Sequence, residues 1–343
     1  MKNIIFTLVI LIFAFTNFNS FGKEVIVFSE KNNLKSFTFD DNLTTKTIRN
    51  ILEDCESFQV FADGQIYAFN NAVSSPTSIG KDFPIKLVKI KTPVHFHNFY
   101  SGFCVNRSSG ELFYPKKVTT SNKSRISVFK KNLQTGEETD LLPNTNFQFV
   151  GELTLSPDQK KIAFYCSPWQ RLRMQVAYCD LSKNDGNAIF VSPISYTIFP
   201  EPYLGGGPLW DKTSSVIYYL AHFDEWINGF NPGIYSVNIN QPLSSKPIRI
   251  SKGYWPSFSG EKLWGIIQAE KGKGIMKQLI PPDENFSVEC TSGKMSPSQK
   301  LLAFCRDGNF YVKRLSDGRE LLLRSDFFIS MRFWWMDIKE QSE

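Results

Sequence analysis

The sequence is poor in the residues from which metal and redox centres are built. Histidine occurs three times, at 95, 97 and 222, and no C-x-x-C or Cys/His spacing of the zinc-binding kind accompanies the six cysteines. There is no P-loop, no G-x-G-x-x-G after a strand, no H-E-x-x-H and no G-x-S-x-G, so the usual nucleotide, metalloprotease and serine-hydrolase signatures are missing. Charge of one sign is also scarce. The net charge of +6 is spread along 343 residues, and no stripe of basic and aromatic residues marks a nucleic-acid surface. Helical periodicity is rare, with residues 47–57 the main candidate for a helix.

Long apolar runs are confined to the N-terminus. Lys2, the run Ile4 to Phe15, and the small residues Ser20 and Gly22 fit a secretory signal over residues 1–22, with a mature domain of 23–343. The run is shorter than the roughly 20 residues a bilayer span needs. An exported chain, periplasmic or secreted, with no stable membrane span after cleavage is therefore expected, an uncleaved N-terminal anchor being the alternative.

What the sequence has in abundance is aromatic residues (31 Phe, 12 Tyr and 7 Trp) and short alternating segments punctuated by turns. Residues 156–181, SPDQKKIAFYCSPWQRLRMQVAYCDL, read as turn, strand, loop, strand. Ser-Pro-Asp starts a tight turn, and Ile162, Phe164 and Cys166 then alternate with their neighbours. The unit recurs at 296–315, SPSQKLLAFCRDGNFYVKRL, with Asp307-Gly308 as a hairpin turn. With five weaker copies, turns fall near 63, 109, 157, 212, 260, 297 and 337. Their mean step of about 46 residues suits a four-stranded propeller blade. The chain begins with EVIVF and LKSFTF, a second and third strand without a first, and ends with MRFWW, a first strand without its followers. These ends complement each other, and pairing them would hide the last open edge of a ring. The expected fold is an all-β propeller of about seven blades, closed by its terminal strands, with six blades as the alternative.

SPDQKKIAF and SPSQKLLAF resemble the repeat of the TolB-like (PD40, WD40-like) propeller group, also found in the N-terminal propellers of prolyl-oligopeptidase-type peptidases. The sequence departs from that repeat in carrying Gln159 and Gln299 where glycine is usual. The resemblance implies the fold first, and by analogy a periplasmic protein with envelope partners. A propeller peptidase would also need an α/β-hydrolase domain with its G-x-S-x-G elbow, so peptidase chemistry is not expected.

On the propeller scheme, the loops joining second and third strands share one face with the connections between blades. Two aromatic-rich stretches fall there and are candidate binding residues: Trp169, Arg171 and Arg173 in the first, and Phe223, Asp224, Glu225, Trp226 and Phe230 in the second. They suit a protein, peptide or glycan ligand. His95 and His97, two apart and so on one side of an extended chain, fall on the same face as His222. The TolB-like oligogalacturonate lyases, exported enzymes that hold a divalent metal with histidines near the channel, give the alternative: a metal-dependent enzyme acting on polysaccharide. The principal expectation is a non-enzymatic binding protein without a cofactor. Among the cysteines, a turn in which Met295 faces Lys300 would set Cys290 opposite Cys305 as a disulfide candidate, the alternative being buried thiols throughout.

Overall fold

The structure, a computed structural model, describes residues 23–30, 33–52, 55–61, 65–70, 86–90, 102–120, 123–168, 173–183, 185–193, 195–196, 207–221, 232–241, 247–268, 274–327 and 333–338. These residues form strands and turns, with no helix among them, in seven separate sheets.

The first blade takes strands from both ends of the chain. In it β1 (Lys23–Glu30), β2 (Asn33–Phe39) and β3 (Lys46–Leu52) extend outward from β28 (Phe333–Ile338). The second holds β4 (Cys55–Val60), β5 (Gln65–Asn70) and β6 (Lys86–Ile90). The third holds β7 (Cys104–Asn106), β8 (Glu111–Thr120), β9 (Lys123–Asn132) and β10 (Glu138–Asp140). The fourth runs β11 (Phe149–Leu155), β12 (Lys161–Ser167), β13 (Arg173–Asp180) and β14 (Ile189–Phe190), with β15 (Ser195–Tyr196) also against β13. The fifth contains β16 (Leu209–Trp210), β17 (Val216–Ala221), β18 (Gly233–Asn238) and β19 (Ile248–Lys252). The sixth contains β20 (Tyr254–Ser259), β21 (Lys262–Gln268), β22 (Gly274–Ile280) and β23 (Pro282–Glu289). In the seventh are β24 (Ser292–Met295), β25 (Leu301–Arg306), β26 (Asn309–Arg314) and β27 (Glu320–Arg324).

First strands touch first strands in ring order: β7 meets β11, β11 meets β16, β16 meets β20, β20 meets β24, and β24 meets β28. The ring is closed by its termini, with Ile26 opposite Trp335 and Phe28 opposite Phe333. The seven-blade reading of the turns holds, and so does the shared blade.

The core is divided among the interfaces between blades. Val25 to Phe28 are fully buried because both faces of β1 are covered, which is why that strand is continuously apolar rather than alternating. Phe28, Phe37, Phe310 and Phe333 pack at the seam of the seventh and first blades. Trp264, Ile266, Met276 and Phe304 fill the sixth interface with the seventh. Each aromatic buried in this way contributes about 1.5–3 kcal/mol relative to exposure. Closing the ring therefore carries a large share of the stability.

Two expectations fail. The helix expected over 47–57 is absent among the described residues: Thr47 and Ile48 lie in β3, paired with Thr38 and Phe37, at the outer edge of a blade. Ile48 is 46% exposed there, and the β-branched residues together with the edge cations Lys46 and Arg49 suit a protected edge strand. The second blade is also irregular, since β6 runs parallel to β5.

Candidate functional site

The turns that follow the first strands are built to one plan. Ser156 Oγ accepts from the Lys161 amide at 3.0 Å and donates to Asp158 Oδ1 at 2.6 Å, while the Gln159 amide bonds the Ser156 carbonyl at 2.8 Å. The copy at Ser296 repeats this, with the Leu301 amide on Ser296 Oγ at 3.2 Å and Gln299 on the Ser296 carbonyl at 2.9 Å. Gln159 and Gln299 both adopt φ of 60°, the left-handed region in which glycine is free of strain. In the fifth blade, which lacks Ser-Pro, Asp211 replaces the serine: its Oδ1 accepts from the Ser215 and Val216 amides, both at 2.8 Å. Burial alone would raise the carboxyls of Asp158 and Asp211, but hydroxyl and amide donors hold both below their ordinary value.

These turns are bonded to one another around the ring. The Asp158 amide donates to Ser214 Oγ at 2.9 Å, Ser259 Oγ donates to the Ser296 carbonyl at 2.6 Å, and the Ser298 amide donates to Glu24 Oε1 at 2.8 Å. Indole N–H groups tie the first strands together behind them: Trp210 Nε1 reaches the Thr154 carbonyl at 3.1 Å, and Trp335 Nε1 the Lys294 carbonyl at 2.8 Å. Hydrogen bonds thus link the turn face of the fourth blade to the fifth, of the sixth to the seventh and of the seventh to the first.

A cavity of about 740 Å³ opens on this face, between the second, third, fourth and fifth blades. One wall is aromatic: the Arg107 guanidinium lies 4.3 Å from the centroid of Phe61, which meets Tyr67 edge-on at 5.6 Å. Gln59 bridges two blades by accepting the Val105 amide at 3.0 Å. The opposite wall brings Pro157, Gln159 and the edge of Trp210. Among the described residues, no hydrogen bond uses the Tyr67 hydroxyl, the Gln159 side-chain amide or Gln59 Nε2. Such a lining can hold a polar chain by its amide donors, and among the described residues it presents no carboxylate.

The candidate residues named from the sequence are not assembled by the described structure. His95, His97, Trp169, Arg171, His222, Phe223, Asp224, Glu225, Trp226 and Phe230 lie outside the described residues. Arg173 opens β13, its Cα opposite Tyr196. The strand ends from which 169–172 and 222–231 depart are those remote from the turns at Ser156 and Asp211, so the cavity lies on the other face. Among the described residues no three His, Cys, Asp or Glu side chains form a group able to hold a metal.

The proposed pairing of Cys290 with Cys305 is corrected by the register. Four residues, Pro297 to Lys300, intervene between the bonded Ser296 and Leu301, so Met295 faces Leu302 and Ser292 faces Cys305. Both thiols are free and buried, and burial pushes each up to about 12. Sequence reasoning missed Gln59, Phe61, Tyr67, Arg107 and Trp210. Their signal was position: each stands within a few residues of a turn that was recognised, but as punctuation rather than as the rim of a channel.

No family model matches the sequence, and the curated proteins include no relative that matches. Solved structures do match. A puromycin-hydrolyzing peptidase of Mycobacterium tuberculosis is 10% identical with a TM-score of 0.50, over 90% of this chain and 54% of the peptidase. TolB from Acinetobacter baumannii is 12% identical with a TM-score of 0.42, over 92% of this chain and 64% of TolB. An oligogalacturonate lyase crystallised with manganese is 10% identical with a TM-score of 0.41, over 88% of this chain and 73% of the lyase. The chain thus spans less than two thirds of TolB and of the peptidase. At such identities the shared feature is the propeller fold.

Proposed function

We propose that this propeller is an exported, non-enzymatic binding protein that holds a peptide segment of a partner protein in the turn-face cavity. The observation that carries this reading is the cavity itself, walled by the first strands and turns of four blades and lined by amides, aromatics and one guanidinium. Gln59, bonded across to the Val105 amide, holds two of these walls together before a ligand arrives, which lowers the cost of ordering them. A glycan fits less well. Pyranose rings stack on open aromatic faces, whereas Arg107 lies over Phe61 and Trp210 is 7% exposed. Export is supported by Lys2 and the apolar run from Ile4 to Phe15.

A photo-crosslinking residue at position 159, on the rim, tests the reading in the native host. The expected result is a discrete protein adduct that the same residue at position 183, on an outer turn, does not give. Equal adducts from both positions, or none from 159, would remove the cavity as the binding site.

A further inference from the structure

The cavity walls engage their own acceptors. The Thr154 carbonyl takes the Trp210 indole N–H at 3.1 Å, the Pro208 carbonyl takes the Thr154 hydroxyl at 2.6 Å, and the Ser156 carbonyl takes the Gln159 backbone amide at 2.8 Å. The side-chain oxygen of Gln59 takes the Val105 amide, which leaves Gln59 Nε2 as a donor alone. The Tyr67 hydroxyl, bonded to nothing described, is a second donor, and the Gln159 side-chain amide supplies a third together with one acceptor oxygen. No carboxylate stands among the described lining residues to receive an N–H. The same lining keeps apolar surface open: Phe61, Tyr67, Leu155 and Leu209 are half-buried and Pro157 is exposed.

We infer that the cavity is selective for an extended, proline-rich segment, whose backbone carbonyls accept from Gln59, Tyr67 and Gln159 while its pyrrolidine rings pack against Tyr67, Leu155, Pro157 and Leu209. This rests on the reading that the cavity binds peptide, and adds which peptide. An ordinary residue brings one N–H for every carbonyl, and an N–H buried without an acceptor is costly. Proline brings the carbonyl and no N–H, so it matches walls that donate more than they accept. A polyproline II segment also has no internal hydrogen bonds, so its carbonyls are available, and it loses little freedom on binding. Aromatic-lined grooves hold such segments in this way.

The test uses the purified full-length protein and two arrays of synthetic decapeptides, identical except that every proline of the first is alanine in the second. Retention on the proline array should exceed that on the alanine array by about tenfold, the size expected when one N–H is left without an acceptor. A third array with N-methylalanine, which removes the N–H without adding the ring, should recover part of the preference. Tyr67→Phe keeps the ring edge-on to Phe61 and Gln159→Gly suits the left-handed turn, so each removes a donor without disturbing the fold, and a thermal scan accompanies both. Each should lower retention on the proline array by about fivefold. Equal retention on the proline and alanine arrays would overturn the proline selectivity while leaving peptide binding intact. Retention unchanged in both variants would overturn the role of these donors. Retention on no array would overturn the peptide reading and this inference with it.

Discussion

Trp335 donates its indole N–H to the carbonyl of Lys294 at 2.8 Å, across the seam where the last strand of the chain joins the ring. Its counterpart Trp210 makes the same bond to Thr154 three blades away. The contact at the closing blade is thus the repeat's own device, supplied by the far end of the chain.

Trp335→Phe should remove that bond at a cost of about 0.5–1.5 kcal/mol, because the Lys294 carbonyl keeps its place opposite Ala303 in the β24–β25 ladder. Trp335→Ala should cost about 3–5 kcal/mol, because the ring also packs edge-on against Phe39. Denaturant midpoints measure both. Losses below about 0.5 kcal/mol for the alanine variant would mean that the seam does not hold the ring.

Gln159 and Gln299 share φ of 60° but differ in what their side chains do. The Gln299 amide reaches the Ser259 carbonyl at 3.3 Å, whereas that of Gln159 bonds nothing described. Gln159→Gly should relieve left-handed strain of about 1 kcal/mol, partly offset by the freer unfolded chain, for a net gain of a few tenths. Gln299→Gly should be neutral or destabilising. A reversed order in urea midpoints would contradict the assignment.

Acid should unfold the protein through its turns and blade edges. Asp211 is held below its ordinary value by the donors of its turn, and Glu320 by Arg306 and Lys313 despite the opposing effect of burial. Groups depressed on folding contribute stability that is complete above their unfolded pKa, near 4, and is lost as pH falls through the folded value. Stability should therefore be level above about pH 5 and fall below about pH 4. Asp211→Asn should lower the plateau and flatten the fall; an unchanged slope would show that Asp211 does not contribute.

The buried thiols should be inert while the fold persists. Cys104, Cys166, Cys179, Cys290 and Cys305 are free and enclosed, and burial raises each. With Cys55 replaced by serine, native protein at pH 8 should resist alkylation, and unfolding without reductant should release all five thiols. Three reactive thiols after such unfolding would reveal a bridge.

The ring was legible because its signals are local. Ser-Pro-Asp turns and period-2 strands recur at blade spacing, and EVIVF and MRFWW lack complements until they are paired with each other. Asp211 shows why the weaker repeats still folded to plan: a carboxylate does for two amides what Ser156 does for one. The register at Cys290 was misread because counting assumed a tighter turn than the left-handed Gln299 makes. The cavity was not legible, because Phe61, Arg107 and Gln159 come from three different blades, and only closure of the ring sets them around one opening. Aromatic density along the chain drew attention instead to Trp169 and Trp226, which lie outside the described residues.

Which face binds is the claim on which the functional account rests, and hydrogen exchange measured with and without the partner segment captured by crosslinking at position 159 tests it most directly. Slowed exchange in residues 59–67, 105–109 and 155–161 is the predicted result. Slowed exchange confined to 167–173 and 222–232 would contradict it and move the binding site away from the cavity.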